Sequence, residues 1–140
     1  MTKKERIQRY GEVFTPDWMV RKMCDLLELE SPDCFMPDKT FLEPTCGEGA
    51  FVIEILRRKF ERCEKREDFE AAIRSVYAFE IQADNVEKTI RNVTEFCQDR
   101  IRLTKREAEL IRDHVIQCDG MKVMRMISEL EARPDERREG

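Results

Sequence analysis

Apolar positions recur at helical spacing in six stretches of the chain, and short β-rich runs separate them. Trp18, Met19, Met23, Leu26 and Leu27 predict a helix from Asp17 to about Leu29. Thr15 is placed to cap it, with Pro16 at its first position and Asp17 at its positive end. Ser31-Pro32-Asp33 and Met36-Pro37-Asp38 mark residues 30–39 as a loop. Thr40-Phe41-Leu42-Glu43 then reads as a short strand running into a turn with two glycines, Gly47 and Gly49. Phe51, Ile53, Ile55, Leu56 and Phe60 predict a second helix from Ala50 to about Arg62. Phe69, Ala72 and Ile73 predict a shorter one over Lys65–Arg74. Ser75–Ile81 is β-rich and mostly apolar, as a buried parallel strand is. A long helix opens at Ala83 and runs through Val86, Ile90, Val93, Phe96 and Cys97. Thr104-Lys105-Arg106-Glu107 has the form of a capping box and starts another. Val115–Cys118 is a third strand, Asp119-Gly120 a turn, and Met121–Leu130 a last helix. Strands alternating with helices in this order predict an α/β fold, with a parallel sheet of about three strands and helical crossovers.

Length bounds the organisation. The 140 residues make one domain, expected over 11–130. Residues 1–10, with Lys3, Lys4, Arg6 and Arg9, are expected to form a flexible basic arm. Residues 131–140, charged and carrying Pro134, are expected to be disordered. The net charge of −4 argues against a protein that grips DNA by bulk electrostatics, which takes clustered Lys and Arg. The six cysteines form no CxxC pair, and His114 is the single histidine, so no metal site is expected. No apolar stretch approaches the roughly 20 residues of a membrane span, and no signal peptide opens the chain. A cytoplasmic protein with reduced thiols is expected.

Candidate chemistry gathers at the strand ends. Ligands of open parallel sheets sit beyond the carboxyl ends of the strands. Each strand here ends at or next to an acid: Glu43, Glu80 and Asp119. Gly47 and Gly49 let backbone approach a ligand closely, and the following helix offers unpaired N–H groups to a carboxylate. Three acids at one sheet edge repel phosphate-rich ligands such as NAD or ATP. They suit a ligand with positive charge and a sugar diol, such as S-adenosyl-L-methionine, whose ribose hydroxyls a carboxylate accepts. The alternative for each acid is to cap the helix that follows it.

Four blocks carry a family resemblance. Gly11-Glu12-Val13-Phe14-Thr15-Pro16 resembles the opening motif of the N6-adenine DNA methyltransferases of restriction–modification systems. Phe41 to Phe51, reading FLEPTCGEGAF, is similar to their main cofactor loop. Tyr77 to Val86, reading YAFEIQADNV, resembles their second motif, and Val115 to Met121, reading VIQCDGM, their third. The resemblance covers residues 11–121 and implies a Rossmann-like methyltransferase fold that binds S-adenosyl-L-methionine. By position it implies that Phe14, Thr15 and Pro16 close the pocket at the methionine end. Glu43 is implied near the ammonium, with Pro44, Cys46 and Gly47 along the cofactor's backbone path. Glu80 is implied on the ribose hydroxyls, Ile81 on the adenine face, and Asp119 on the adenine amino group beside Gly120 and Met121. Two departures stand out: Ala78 occupies a position where the family often has Gly, and Glu80 one where it usually has Asp. Cys46 reads as a small buried residue rather than a redox centre.

The residues that transfer the methyl group are missing. The family uses an Asn- or Asp-Pro-Pro-aromatic motif on a base flipped out of the duplex. None of the five prolines here adjoins another, and none follows Asn or Asp. No catalytic residue is therefore expected, and the chain ends where a fourth strand would begin. The expected function is the cofactor-binding portion of such an enzyme, inactive alone, with DNA binding weak or absent. The alternatives are a non-catalytic cofactor-binding or regulatory module, and an interaction protein that binds no ligand. In this fold the fourth strand flanks the first, so the edge at residues 40–44 is expected to be unpaired. The tail, the Met121–Leu130 helix, a second copy or another subunit would cover it. That helix has a broad apolar surface, which ordinary core packing would also explain.

Overall fold

In the computed structural model, which describes Thr2 and residues 14–132, helices alternate with short strands. They are α1 (Asp17–Glu30), β1 (Phe41–Glu43), α2 (Ala50–Glu61), α3 (Arg66–Arg74), β2 (Val76–Glu80), α4 (Ala83–Gln98), α5 (Lys105–His114), β3 (Val115–Gln117) and α6 (Gly120–Glu131). The chain is α/β, with a three-stranded sheet in the order β1-β2-β3. Both pairings are parallel, with Phe41 opposite Val76 and Ala78 opposite Val115. The basic arm at 1–10, apart from Thr2, and Gly11 to Val13 lie outside the described residues, as do residues 133–140. Residues 131 and 132 are described: α6 runs through Glu131, with Ala132 at its C-cap.

The strand order decides which face of the sheet is covered. Both crossovers step the same way across the sheet. Right-handed crossovers that do not reverse direction lay their helices on one face. Accordingly Val76, Ala78 and Val115 pack with Val52, Leu56, Ile73, Val93 and Ile111 from α2, α3, α4 and α5. The opposite face carries Leu42, Tyr77, Phe79 and Ile116. Leu42 and Ile116 are 39% and 40% exposed, and His114 stacks on Tyr77 at a centroid distance of 4.2 Å.

The start signal differs from the sequence reading at α1. Pro16 is the N-cap of α1 rather than its first residue, and no side chain, Thr15 included, caps that end. The proline ring has no N–H and holds the extended backbone that precedes the first turn. At α3, Asp68 reaches back to accept from the N–H groups of Glu64 and Lys65, both at 2.9 Å. The capping box at α5 forms as predicted, with Glu107 N–H donating to Thr104 Oγ1 at 3.1 Å.

Buried charge ties the periphery to this core. Glu54 pairs with Arg57 and Arg58, and Arg58 reaches Asp25 of α1 at 2.7 Å. Arg62 holds Glu28 with two hydrogen bonds. Lys59, fully buried, donates to the carbonyls of Met36, Pro37 and Lys39 and so clamps the loop that leads into β1.

The thiols make the fold alkali-sensitive. All six cysteines are reduced. Burial pushes Cys24, Cys46 and Cys63 up to about 11 and Cys97 to about 12, from an ordinary 9.0. Between pH 9 and 11 the folded chain therefore holds protons that the unfolded chain has lost, and stability falls as pH rises. Lys59 acts in the opposite sense, its pKa lowered by burial from 10.5 to about 8, but it is one group against four. Urea unfolding at pH 10.5 should show a loss on the order of 1–2 kcal/mol per thiol relative to pH 8. An unchanged midpoint would contradict the burial of these thiols.

Candidate functional site

Backbone pairing continues past the strands and builds the site. Cys46 N–H donates to Phe79 O at 2.8 Å, and Cys118 N–H to Glu80 O at 3.0 Å. The segments after β1, β2 and β3 are thus held side by side at the carboxyl edge of the sheet. Glu43 lies opposite Ala78 and Glu80 opposite Gln117. Residues two apart on a strand share a face, so both carboxylates stand on the core side of the sheet. Burial first, and then both carboxylates, raise the pKa of the Cys46 thiol.

Each of the three acids uses one oxygen on local backbone and leaves the other without a hydrogen bond from the described residues. Glu43 Oε1 accepts from the N–H of Thr45 at 3.0 Å and from its hydroxyl at 3.4 Å. Glu80, 7% exposed, accepts from Gln82 N–H through Oε2 at 3.0 Å. Asp119 caps α6, its Oδ1 accepting from Lys122 N–H at 3.1 Å. The helix-cap alternative therefore holds for Asp119. Among the described residues none of the three is paired with a cation. Lys88 is turned to Glu48 at 3.7 Å and Asp84 at 3.8 Å.

The turn itself depends on its glycines. Gly47 and Gly49 take φ of +55° and +96°, the left-handed region that side chains disfavour. A Cβ on Gly47 would come within 3.0 Å of the Phe14 ring. Phe14 is therefore seated directly over the turn, with Thr15 and Pro16 leading from it into α1. Gly120 fills a different need: its missing side chain lets the start of α6 touch Pro44, where a Cβ would stand 1.8 Å from the carbonyl oxygen. Pro44, Gly120 and Phe79 are thereby brought together, with Met121 exposed on the next residue of α6. Ile81, directly after Glu80, is 45% exposed. Cys46 is buried and protonated at neutral pH, its sulfur 3.6 Å from Thr89 Oγ1.

Two supports of the turn escaped the sequence reading. Thr89, fully buried on α4, donates its hydroxyl to Gly47 O at 2.7 Å. Asn92, one turn on, donates to Glu48 O at 3.0 Å. A polar residue on the apolar stripe of a helix, as Thr89 is, was the available signal. Among the described residues no group of three or more His, Cys, Asp or Glu side chains is arranged to hold a metal ion, and no helix is long and apolar enough to cross a membrane.

Three carboxylates at one sheet edge repel a phosphate-rich ligand. Among the described residues, acceptors dominate the edge, no cation pairs with the three carboxylates, and the turn offers backbone at close range. Comparison with known proteins adds nothing to this: no family model, no curated protein and no solved structure matches the chain.

Proposed function

We propose that this chain is the S-adenosyl-L-methionine-binding portion of an N6-adenine DNA methyltransferase of the restriction–modification type, with a Rossmann-like fold, acting in the cytoplasm. The observation that carries the reading is the convergence of Glu43, Glu80 and Asp119 at one sheet edge beside the Gly47 turn. These are the acids of three sequence blocks that resemble the family's cofactor motifs. Phe14, from the fourth block, lies over the same turn.

In this reading Glu80 accepts from the ribose hydroxyls with the oxygen that Gln82 does not use. Ile81 packs on one face of the adenine. Asp119, already oriented by Lys122 N–H, accepts from the adenine amino group, and Gly120 and Met121 border that end. Glu43 faces the ammonium, directly or through water. Pro44, Cys46 and Gly47 line the path between, and Phe14, Thr15 and Pro16 close over the methionine end. The bound cofactor supplies an electrophilic methyl group. The chain's own residues hold and orient it and supply acceptors for its charge. Nothing in these 140 residues offers the Asn- or Asp-Pro-Pro-aromatic acceptor for a flipped base. The 140 residues alone are accordingly expected to bind the methyl donor, transfer nothing and bind DNA weakly or not at all.

Calorimetric titration with S-adenosyl-L-methionine tests this directly. Wild type should bind, and Glu80→Ala should weaken binding by about 1–3 kcal/mol, the range for a charged hydrogen bond left unmade. An unaltered affinity removes Glu80 from the site. No heat at millimolar cofactor removes the proposal and leaves an interaction protein without a ligand.

A further inference from the structure

One helix joins the two halves of the candidate site. Helix α4 begins directly behind Glu80: Gln82 is its N-cap, and the Gln82 N–H is held by Glu80 Oε2 at 3.0 Å. About 10 Å further along its axis, the same helix takes hold of the glycine turn. Thr89 donates its hydroxyl to Gly47 O at 2.7 Å, and Asn92 donates its side-chain amide to Glu48 O at 3.0 Å. Residues three apart on a helix are neighbours, so consecutive carbonyls of the turn are anchored to one side of α4. The helix itself is fixed by Val86, Ile90 and Val93, all buried in the core.

Thr89 is fully buried, and a hydroxyl so placed needs a partner. Its Cγ2 rests against Gly49, where a Cβ would come within 3.0 Å of it. The bond to Gly47 does more than satisfy the hydroxyl. A peptide unit is planar and trans, so its C=O and N–H point opposite ways. Turning Gly47 O toward α4 turns the Glu48 N–H away from it, and no acceptor among the described residues receives that N–H. The bond that closes the turn, Gly49 N–H to Cys46 O at 2.8 Å, does not involve this peptide unit. The Cys46 thiol, 3.9 Å from Gly47 O, is a far weaker donor than the Thr89 hydroxyl.

We infer that Thr89, assisted by Asn92, is a positioning residue for the methionyl half of the methyl donor. The inference rests on the cofactor reading above, in which Phe14 closes the methionine end and sits over Gly47. The turn is then the wall that the amino-acid half of the donor meets, while the adenosine half lies on Glu80, Ile81 and Asp119. Thr89 touches no ligand; it acts through the peptide unit between Gly47 and Glu48. Removing its hydroxyl separates the two halves: affinity for the amino-acid part falls, and affinity for the nucleoside part stays.

Calorimetric titration of the full chain with two ligands reads this. One is S-adenosyl-L-methionine, and the other is 5′-methylthioadenosine, which keeps the nucleoside and lacks the amino-acid part. Thr89→Ala should bind S-adenosyl-L-methionine about five- to tenfold more weakly than wild type, the span of one neutral hydrogen bond. Thr89→Ser loses the same methyl group and keeps the hydroxyl, so it should bind within about twofold of wild type. Affinity for 5′-methylthioadenosine should stay within about twofold in both variants. Asn92→Ala, at a partly buried position, should lose about threefold on S-adenosyl-L-methionine alone. It carries the comparison where the circular dichroism of a Thr89 variant departs from wild type. Wild-type affinity in Thr89→Ala, equal losses on both ligands, or a serine variant as weak as the alanine one overturns the inference and leaves the cofactor reading standing. A wild-type chain that binds neither ligand overturns the cofactor reading, and the inference with it.

Discussion

Replacing Lys59 with Met should lower the unfolding free energy by about 2–4 kcal/mol, the sum expected for charged hydrogen bonds to carbonyls that are only partly rehydrated. Met has similar length and fills the space, so the loss reads the ammonium rather than a cavity. The ammonium holds the carbonyls of Met36, Pro37 and Lys39 at 2.8, 3.2 and 2.5 Å, beneath the Phe41 ring. Those three carbonyls set the path of the chain into β1 and hence the position of Glu43. Burial lowers the lysine to about 8. Between pH 8 and 10.5 the folded chain therefore holds fewer protons at this site than the unfolded chain, and the lysine's share of stability rises with pH. The gap between wild type and Lys59→Met should widen across that window in urea titrations. A gap below about 0.5 kcal/mol at pH 7 would show that the three bonds contribute little.

Glu107→Ala should be about as damaging, by roughly 2–4 kcal/mol. Breaking a buried ion pair costs 3–5 kcal/mol where both partners are buried, and here Arg66 is 45% exposed and can rehydrate. Glu107 is 1% exposed and serves three ends at once. It accepts from Arg66 at 2.7 and 2.5 Å and from Thr104 N–H at 2.9 Å, closing the N-terminus of α5 and docking α3 on it. Glu107→Gln, which still accepts from Thr104, should lose about half as much. The Arg66 guanidinium holds the carboxyl below the ordinary 4.5. Its contribution is therefore complete above that value and is lost as pH falls through the lower folded one. The acid limb of the wild-type stability profile should be steeper than that of Glu107→Ala. Superimposable acid limbs would show that the pair carries no net stabilisation.

Both residues show how far the sequence could be read. The capping box at Thr104 was legible because its two members sit at fixed spacing. That Glu107 also meets Arg66, 41 residues away, was not. Lys59 falls on a helix whose apolar residues were plain, and its charge suggested solvent. Only the loop folded beneath that helix turns it inward. At the strand ends, Glu43, Glu80 and Asp119 were legible one by one, since each follows a β-rich run and precedes a helix. Thr89 and Asn92, which hold the glycine turn from a helix more than 40 residues on, carried no local pattern beyond a polar residue on an apolar stripe.

The sequence by itself determined the order and type of the elements, because hydrophobic period and capping chemistry are local. It determined the acidic character of the strand ends for the same reason. The tertiary structure decided that those ends lie side by side, that Phe14 is seated over Gly47, and that α2 to α5 pack on one face of the sheet. These follow from strand order and crossover hand, which bring distant segments together and leave no periodic trace in the chain.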